Sequence, residues 1–409
     1  MSEIAPRNLP ASARGKRAIS EHAQKPLVFD IVICYHCNTK FLNKLYLFLV
    51  IMKKLKCGIL GATGMVGQRF ITLLDKHPWF DVTALAASPR SAGRKYSEAV
   101  EGRWFSKKEI PANVRNLVVS DVADIEKIKG KVDFVFSAIE ASKDEIRAFE
   151  NKYAENDIPV VSNNSAHRWT KDVPMIMPEI NPHHLEMINI QRKNHGWKKG
   201  FVVVKPNCSL QSYLPAIAPL MKYAPTAMIV TTMQAISGAG KTFETFPEIV
   251  DNVIPFIGGE EEKSEQEPLK ILGSIKNNEF VNYNGIKISA HCNRVAASDG
   301  HLAAVSVKFN KKPTKEEILE AWKNYKPEPQ QLKLPSAPDP VLIYKEEDDR
   351  PQTKLDRDAG NGMAITIGRL RECLVLDYRF AALSHNTIRG AAGGAILVAE
   401  LLYKKGFLG

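Results

Sequence analysis

Leu55-Lys56-Cys57-Gly58-Ile59-Leu60-Gly61-Ala62-Thr63-Gly64-Met65-Val66-Gly67-Gln68-Arg69-Phe70-Ile71-Thr72-Leu73-Leu74 is the stretch that decides the fold. Its first six residues read as a short apolar strand, and Phe70, Ile71 and Leu74 then recur at helical spacing. Three glycines stand between the two patterns. Glycine permits the tight turn, the close approach of a pyrophosphate and the packing of helix on strand, and the helix N-terminus offers free N–H groups to phosphate. Gly61, Thr63, Gly64, Met65, Val66 and Gly67 are therefore candidate dinucleotide contacts. A second apolar strand at 82–87 supplies the βαβ context that glycines alone lack.

The loop after that strand selects the nucleotide. An NAD site places Asp or Glu here for the ribose hydroxyls, whereas this chain has Ser88-Pro89-Arg90-Ser91-Ala92-Gly93-Arg94-Lys95. Hydroxyls and cations suit a 2′-phosphate, so Ser88, Arg90 and Ser91 point to NADP; a solvated basic loop is the plainer alternative. The parallel sheet continues through 132–138, whose Ser137-Ala138 end approaches the nicotinamide side of the crevice. A helix over 142–156 leads to a strand at 158–161 and a polar loop ending in Arg168, a donor apt for an anion, although turn chemistry accounts for that loop equally well.

The sequence Val202-Val203-Val204-Lys205-Pro206-Asn207-Cys208-Ser209-Leu210-Gln211 repeats the strand-then-helix pattern and sets a cysteine at the turn. A thiol at a helix N-terminus is expected to have a lowered pKa, and the adjacent N–H groups with the Asn207 amide are expected to stabilise an oxyanion. A buried core cysteine is the competing reading. Beyond it, a helix to about 223 precedes an alternating strand at 227–235 with Gln234 near its end, and Ser237-Gly238-Ala239-Gly240 makes a turn. The acidic run 258–267 reads as a solvated helix face. Strands at 287–295 and 301–307, joined through Asp299-Gly300, bring Arg294 and His301 to one end of a second sheet, where a guanidinium clamps a carboxylate and an imidazole trades protons. Segments 362–370 and 372–378 read as an antiparallel pair, and 386–402 as a helix returning to the nucleotide domain.

Composition removes other classes. With 409 residues, 44% hydrophobic and 25% charged, the chain has material for a core and about two domains. The net charge of +11 is spread along the chain and interleaved with acids, which argues against a nucleic-acid stripe and for acidic small ligands. Six cysteines without disulfide-framework spacing fit a reducing, cytoplasmic compartment. Residues 1–52 differ: 1–25 are polar and aperiodic, which predicts disorder, the later apolar runs are too short to span a bilayer, and Cys34/Cys37 lack partners for a zinc site. Met52 is the expected working start. No metal site is expected elsewhere. The predicted division is an extension over 1–52, a nucleotide domain over 53–206, a catalytic domain over 207–380 and a returning helix over 381–409.

The motifs GATGMVGQRF (61–70), SNNSAHR (162–168), PNCSLQ (206–211), QAISGAG (234–240), NRVAASDGH (293–301), RPQTKLDRDAGNGM (350–363) and GAAGGA (390–395), in this order, resemble the aspartate-β-semialdehyde dehydrogenase family from about Lys53 onward. GEEEK (259–263) is similar to its archaeal and fungal branch, and the N-terminal extension departs from it. The resemblance implies an α/β fold: a Rossmann-type NADP-binding domain plus an α+β catalytic and dimerisation domain with a mixed sheet, in a homodimer or homotetramer. It implies Cys208 as nucleophile, His301 as acid/base, Gln234 orienting the substrate, Arg294 on the substrate carboxylate, and Arg168 with Asn207 and a lysine on phosphate. Glu260 with Lys263 would meet the substrate ammonium; Glu267 with Lys270 has the same spacing and stays open. Ser237 and Gly238 join the cofactor contacts. The implied reaction is NADPH-dependent conversion of L-4-aspartyl phosphate to the semialdehyde, in the biosynthesis of lysine, threonine, methionine and isoleucine. N-acetyl-glutamyl-phosphate reductase, a malonyl-CoA reductase-like enzyme and an inactive nucleotide-binding paralogue are the alternatives.

Overall fold

The glycine turn closes the first crossover of a six-stranded parallel sheet. A computed structural model describes residues 54–106 and 108–409, so the expectations for disorder, the Cys34/Cys37 pair and a start at Met52 lie outside the described residues. The sheet comprises β1 (Leu55–Leu60), β2 (Phe80–Ala87), β3 (Ser120–Asp121), β4 (Phe134–Ser137), β5 (Val160–Ser162) and β6 (Val202–Val204), ordered β3-β2-β1-β4-β5-β6. Strands β4, β5 and β6 are buried along their whole length, as expected where both faces of a parallel sheet are covered. The chain reverses its march between β1 and β4, and the crevice at their carboxyl ends is the switch point where such sheets bind ligands.

Helix α1 (Met65–Leu74) starts in that crevice. A Cβ on Gly67 would stand 2.2 Å from Gly61 O, and one on Gly61, whose φ is +79°, 2.1 Å from Ala138 O. Only glycine lets the three segments meet there. Helix α2 (Lys143–Glu155) begins in a capping box, with Ser142 Oγ accepting from Glu145 N–H and the Glu145 carboxylate accepting from Ser142 N–H. Helix α3 (Met187–His195) stops at Gly196 in the left-handed region.

After β6 comes α4 (Leu210–Ile217), which tightens into a 3-10 turn over Ala218–Tyr223. Next are β7 (Pro225–Gln234), β8 (Val253–Ile254), α5 (Glu260–Ile271), the small hairpin β9 (Ser274–Lys276) and β10 (Glu279–Val281), β11 (Lys287–Val295), β12 (His301–Phe309), α6 (Lys315–Lys323), β13 (Leu342–Lys345), β14 (Ile365–Glu372) and β15 (Tyr378–Ser384). The second sheet is mixed and seven-stranded, ordered β13-β14-β15-β12-β7-β11-β8.

The structure corrects three sequence readings. Strands β11 and β12 do not pair: β7 runs between them, parallel to β11 and antiparallel to β12, so residues 296–300 span about 10 Å across the end of β7 rather than folding as a hairpin. Residues Cys373–Asp377 are the turn and not a strand, since Leu374 and Val375 point fully into solvent and pairing resumes only at Tyr378. The acidic run is not a solvated face. Glu260 and Glu267 are buried, while Glu261 and Glu265 accept the N–H groups of Cys292 (3.1 Å) and Ala290 (3.0 Å) along the part of β11 that β8 leaves uncovered.

Helix α7 (Gly393–Lys404) returns to the first sheet, its apolar residues packing with Phe70, Phe134, Phe136 and Val161. Its buried Glu400 meets His77 Nε2 at 2.9 Å and accepts the Ser336 N–H. Among the described residues, no helix is long and apolar enough to cross a membrane.

Candidate active site

Cys208 lies between β6 and α4, and three neighbouring strands of the second sheet deliver their ends to it. His301 opens β12, Gln234 ends β7, and Arg294 lies opposite Gln234 on β11. Cys208 Sγ stands 3.4 Å from His301 Nε2. On its other side the ring accepts the Ala235 N–H at Nδ1 (3.1 Å), which places the proton of the neutral imidazole on Nε2, facing sulfur. The Ala235 carbonyl in turn accepts from Arg294 Nη1 at 2.8 Å, so the backbone of one residue fixes both side chains. A Cβ on Gly238 would lie 3.1 Å from Arg294 Nη1 and 3.2 Å from His301 Nε2, and this glycine lets the 236–239 turn close over the pair.

The α5 carboxylates organise the remaining side. Glu260 accepts from Asn207 Nδ2 (2.9 and 3.0 Å), Lys263 Nζ (2.8 Å) and Gln234 Nε2 (3.2 Å). Glu267 pairs with Arg168 Nη1 at 2.8 Å and accepts the Asn207 N–H at 2.7 Å, while Lys270 Nζ binds the carbonyls of Arg168 and Val173. The two equally spaced acid and base pairs therefore differ in kind: Glu260 and Lys263 join the cysteine cluster, and Glu267 and Lys270 hold Arg168 and its loop. Asn207 has its backbone donor taken by Glu267, and at most one Nδ2 hydrogen is left for an oxyanion. Its Nδ2 is held by Glu260, and its Oδ1 accepts from Ser209 N–H (2.8 Å) and Oγ (2.7 Å).

Electrostatics reverse one expectation. The Cys208 thiol is pushed up to about 11, by burial first and then by Glu260, against the pull of Lys205, Arg168 and Arg294. Surrounding protein outweighs the half-charge of a helix terminus when the dipole has eight residues behind it and the thiol is largely enclosed. Burial and the Arg294 charge lower His301 to about 3, so its imidazole is neutral at physiological pH. Burial works to raise Glu260, but Lys263 and the hydrogen bonds from Lys263 and Gln234 win and hold it below the usual carboxylate range.

Two cavities offer binding space, one at the glycine turn and one beside the α5 carboxylates. One of about 760 Å³ is lined by Gly61, Thr63, Gly64, Ser88, Arg90, Ser91 and Ala138, together with Arg94 and Arg103. Its glycine cradle, helix terminus and guanidinium groups fit a dinucleotide carrying an extra phosphate. Met65, Val66, Gly67 and Ser137 do not line it: Gly67 serves packing, and Ser137 is buried, its Oγ accepting from Asn164 Nδ2 at 3.1 Å. Ser237 and Gly238 stand at the thiol end instead, Ser237 Oγ accepting from Asn386 Nδ2 at 2.9 Å. A second cavity of about 270 Å³ is lined by Lys143, Arg168 and Lys263 with Ser165, and by Glu262 and Glu267, so its three cations outnumber its two carboxylates and leave a net pull on an anion. Arg103 and Lys143 escaped the sequence reading, since no short-range pattern ties them to the glycine turn or to Arg168.

Comparison with known proteins agrees with this architecture. Residues 56–188 match the model of the semialdehyde dehydrogenase NAD binding domain, and residues 217–389 that of the semialdehyde dehydrogenase dimerisation domain. An aspartate-semialdehyde dehydrogenase of Archaeoglobus fulgidus is 46% identical over 348 residues, covering 85% of this chain and 98% of its own. The chain belongs to the aspartate-semialdehyde dehydrogenase family. A fungal member from Aspergillus fumigatus is 43% identical, over 87% of this chain and 99% of its own. The crystal structure of the Candida albicans aspartate-semialdehyde dehydrogenase with NADP superposes with a TM-score of 0.78 at 38% identity, covering 87% of this chain and all of that one. The first matched segment holds β1 to β5 of the parallel sheet, β6 falls between the two segments, and the second holds the whole mixed sheet.

Proposed function

We propose that this chain converts L-4-aspartyl phosphate, NADPH and a proton to L-aspartate 4-semialdehyde, NADP and phosphate, reversibly, with Cys208 as the nucleophile. The observation that carries the reading is the thiol-imidazole pair, 3.4 Å apart, beside Arg294 and the Glu260 cluster near the carboxyl ends of a dinucleotide-binding sheet.

Cys208 Sγ attacks the acyl carbon of the aspartyl phosphate, the C–O bond to phosphate breaks, and an enzyme thioester remains. The Arg168, Lys143 and Lys263 cavity receives the phosphoryl group, while Arg294 pairs with the substrate α-carboxylate. Glu260 meets the substrate ammonium, exchanging a bond to Asn207, Gln234 or Lys263 for it, and Gln234 then turns to orient the thioester. NADPH, held in the cavity of Gly61, Thr63 and Gly64 with Arg90 and Ser91 at the 2′-phosphate, supplies the hydride. His301 shares its Nε2 proton with the oxygen that gains charge and recovers it as the hemithioacetal collapses, while sulfur leaves as thiolate, frees the aldehyde and takes up the one proton that the reaction consumes.

The thiol chemistry calls for a reducing compartment, which supports a cytoplasmic location. The assembly is a homodimer or homotetramer built on the second sheet, where Ile229, Val253 and Phe256 are exposed. The working division of the chain falls at Pro206/Asn207, and the returning part is α7 (Gly393–Lys404) rather than all of 381–409, since residues 381–384 complete β15 of the mixed sheet. Cys208→Ala abolishes turnover of aspartate semialdehyde, phosphate and NADP while NADPH still binds; substantial residual activity overturns the mechanism. Faster turnover of N-acetyl-glutamyl phosphate or malonyl-CoA would overturn the substrate, because an acylated or absent amine leaves Glu260 without its partner.

A further inference from the structure

The charges buried around Cys208 pair off almost completely. Glu267 takes Arg168 at 2.8 Å, Glu260 takes Lys263 at 2.8 Å, and Glu179 takes Arg389 at 2.9 Å. Three buried cations are left over among the described residues, of which Lys270 is satisfied by the carbonyls of Arg168 (2.7 Å) and Val173 (3.1 Å). Arg294 faces the substrate side of the cluster, where an incoming carboxylate completes it. Lys205 does not. It is 2% exposed, three residues before Cys208, and its Nζ makes one hydrogen bond, to Pro206 O at 2.7 Å. Its stem is clamped by α7, where a Cβ on Gly394 would lie 3.2 Å from Lys205 Cδ, one turn after Gly390, whose Cβ would lie 2.9 Å from Cys208 Cβ. Lys205, Gln211, Glu179 and Arg389 together line a narrow interior space with Gly394.

A buried ammonium without an anion costs several kcal/mol, and the carboxylates within reach are already taken. The Cys208 sulfur, three residues along the chain, can still become an anion, and among the described residues it is the foremost charge acting on Lys205. We infer that Lys205 is the counter-cation of the catalytic thiolate, a positioning residue that ionises with Cys208 as a unit, thiol plus amine becoming thiolate plus ammonium. The proton leaving sulfur is the one gained by nitrogen, so the net charge of the interior is the same in both forms. That sameness removes most of the desolvation cost of making a lone thiolate.

The surroundings are consistent in sign. Burial drives Lys205 down to about 7, and Cys208 is the foremost charge opposing that fall, with Glu267 behind it and Arg168 and Arg389 acting against. Burial and Glu260 drive Cys208 up, and Lys205 is the foremost charge opposing that rise, ahead of Arg168 and Arg294. Neutral His301 contributes a hydrogen bond and no charge. Such a pair titrates jointly, and removing either member exposes the other.

The inference rests on Cys208 being the nucleophile, and its test is kept apart from turnover. Iodoacetamide alkylation of the Cys208 peptide is followed against pH by mass spectrometry in the wild type and in Lys205→Met. The alkylation midpoint should rise by about one pH unit or more, with alkylation near neutrality slowed about tenfold. An unmoved midpoint in a folded Lys205→Met protein overturns the pairing. Should that variant not fold, the same coupling is read from the lysine side. In 13C-lysine-labelled protein, Cys208→Ser should lower the already depressed titration of the buried lysine, and an unchanged titration overturns the pairing as well. Loss of turnover in Cys208→Ala together with an unmoved midpoint in Lys205→Met would sink this inference and leave the reaction standing.

Discussion

Cys208 Sγ and His301 Nε2 are 3.4 Å apart although 93 residues separate them in the chain. The first is placed by the turn from β6 into α4 and the second by the start of β12, so the pair exists only when the parallel and the mixed sheets are docked. Because the Ala235 N–H fills Nδ1, the ring is held as a hydrogen-bond donor toward the reacting centre.

Replacing His301 by Asn should therefore remove proton delivery without removing the nucleotide site. The expected outcome is a fall in kcat of about 10²–10⁴ with NADPH affinity unchanged, measured by steady-state kinetics and fluorescence titration. A variant turning over at the wild-type rate would remove His301 from the chemistry.

Arg90 and Ser91 line the large cavity with Arg94 and Arg103, and no carboxylate replaces them at the loop after β2. Arg90→Ala should lower the ratio of kcat/KM for NADPH over NADH by about tenfold or more, since a charge-assisted contact to phosphate is lost and the adenosine ribose of NADH has no such group. An unchanged ratio would move the 2′-phosphate contact to Arg94 or Arg103.

Burial also sets a limit on acid stability. His167, His184 and His385 are pushed from 6.5 down to about 4, and His301 to about 3, chiefly by burial in each case. Unfolded chains protonate these rings near 6.5 whereas the folded protein resists until about pH 4, so the unfolded state binds more protons in that window and stability rises with pH. On acidification each such ring removes about 1.4 kcal/mol per pH unit until its folded-state pKa is reached. Thermal melts taken from neutrality to about pH 4 should show a steep, monotonic loss of Tm beginning near pH 6.5; a flat profile down to pH 5 would mean that these rings are not desolvated as described.

Much of the fold could be read locally. The glycine turn at 61–67 and the cysteine turn at 205–209 are strand-to-helix junctions, and both are encoded by neighbouring residues. The features that escaped the sequence were long-range. Nothing between Val295 and His301 announces that β7 will lie between β11 and β12, because strand neighbours are chosen by the whole sheet. The acidic run at 260–267 was misread for the same reason: charge number is visible in a sequence, whereas the amide edge of β11 and the Arg168 side chain that those carboxylates serve are not. The thiol's shift was missed because a helix dipole is a local property and desolvation is not. Lys205 is visible in the KPNC run, yet its lack of a carboxylate partner emerges only once the buried carboxylates have been matched to Arg168, Lys263 and Arg389.

The central claim, a covalent acyl group on Cys208, is reached most directly by mixing the enzyme with aspartate semialdehyde and NADP in the absence of phosphate. Without the acceptor, oxidation should stop at the thioester. The account predicts a burst of NADPH absorbance close to one equivalent per chain, with the aspartyl mass on the Cys208 peptide. No burst, or the added mass on another residue, would contradict it.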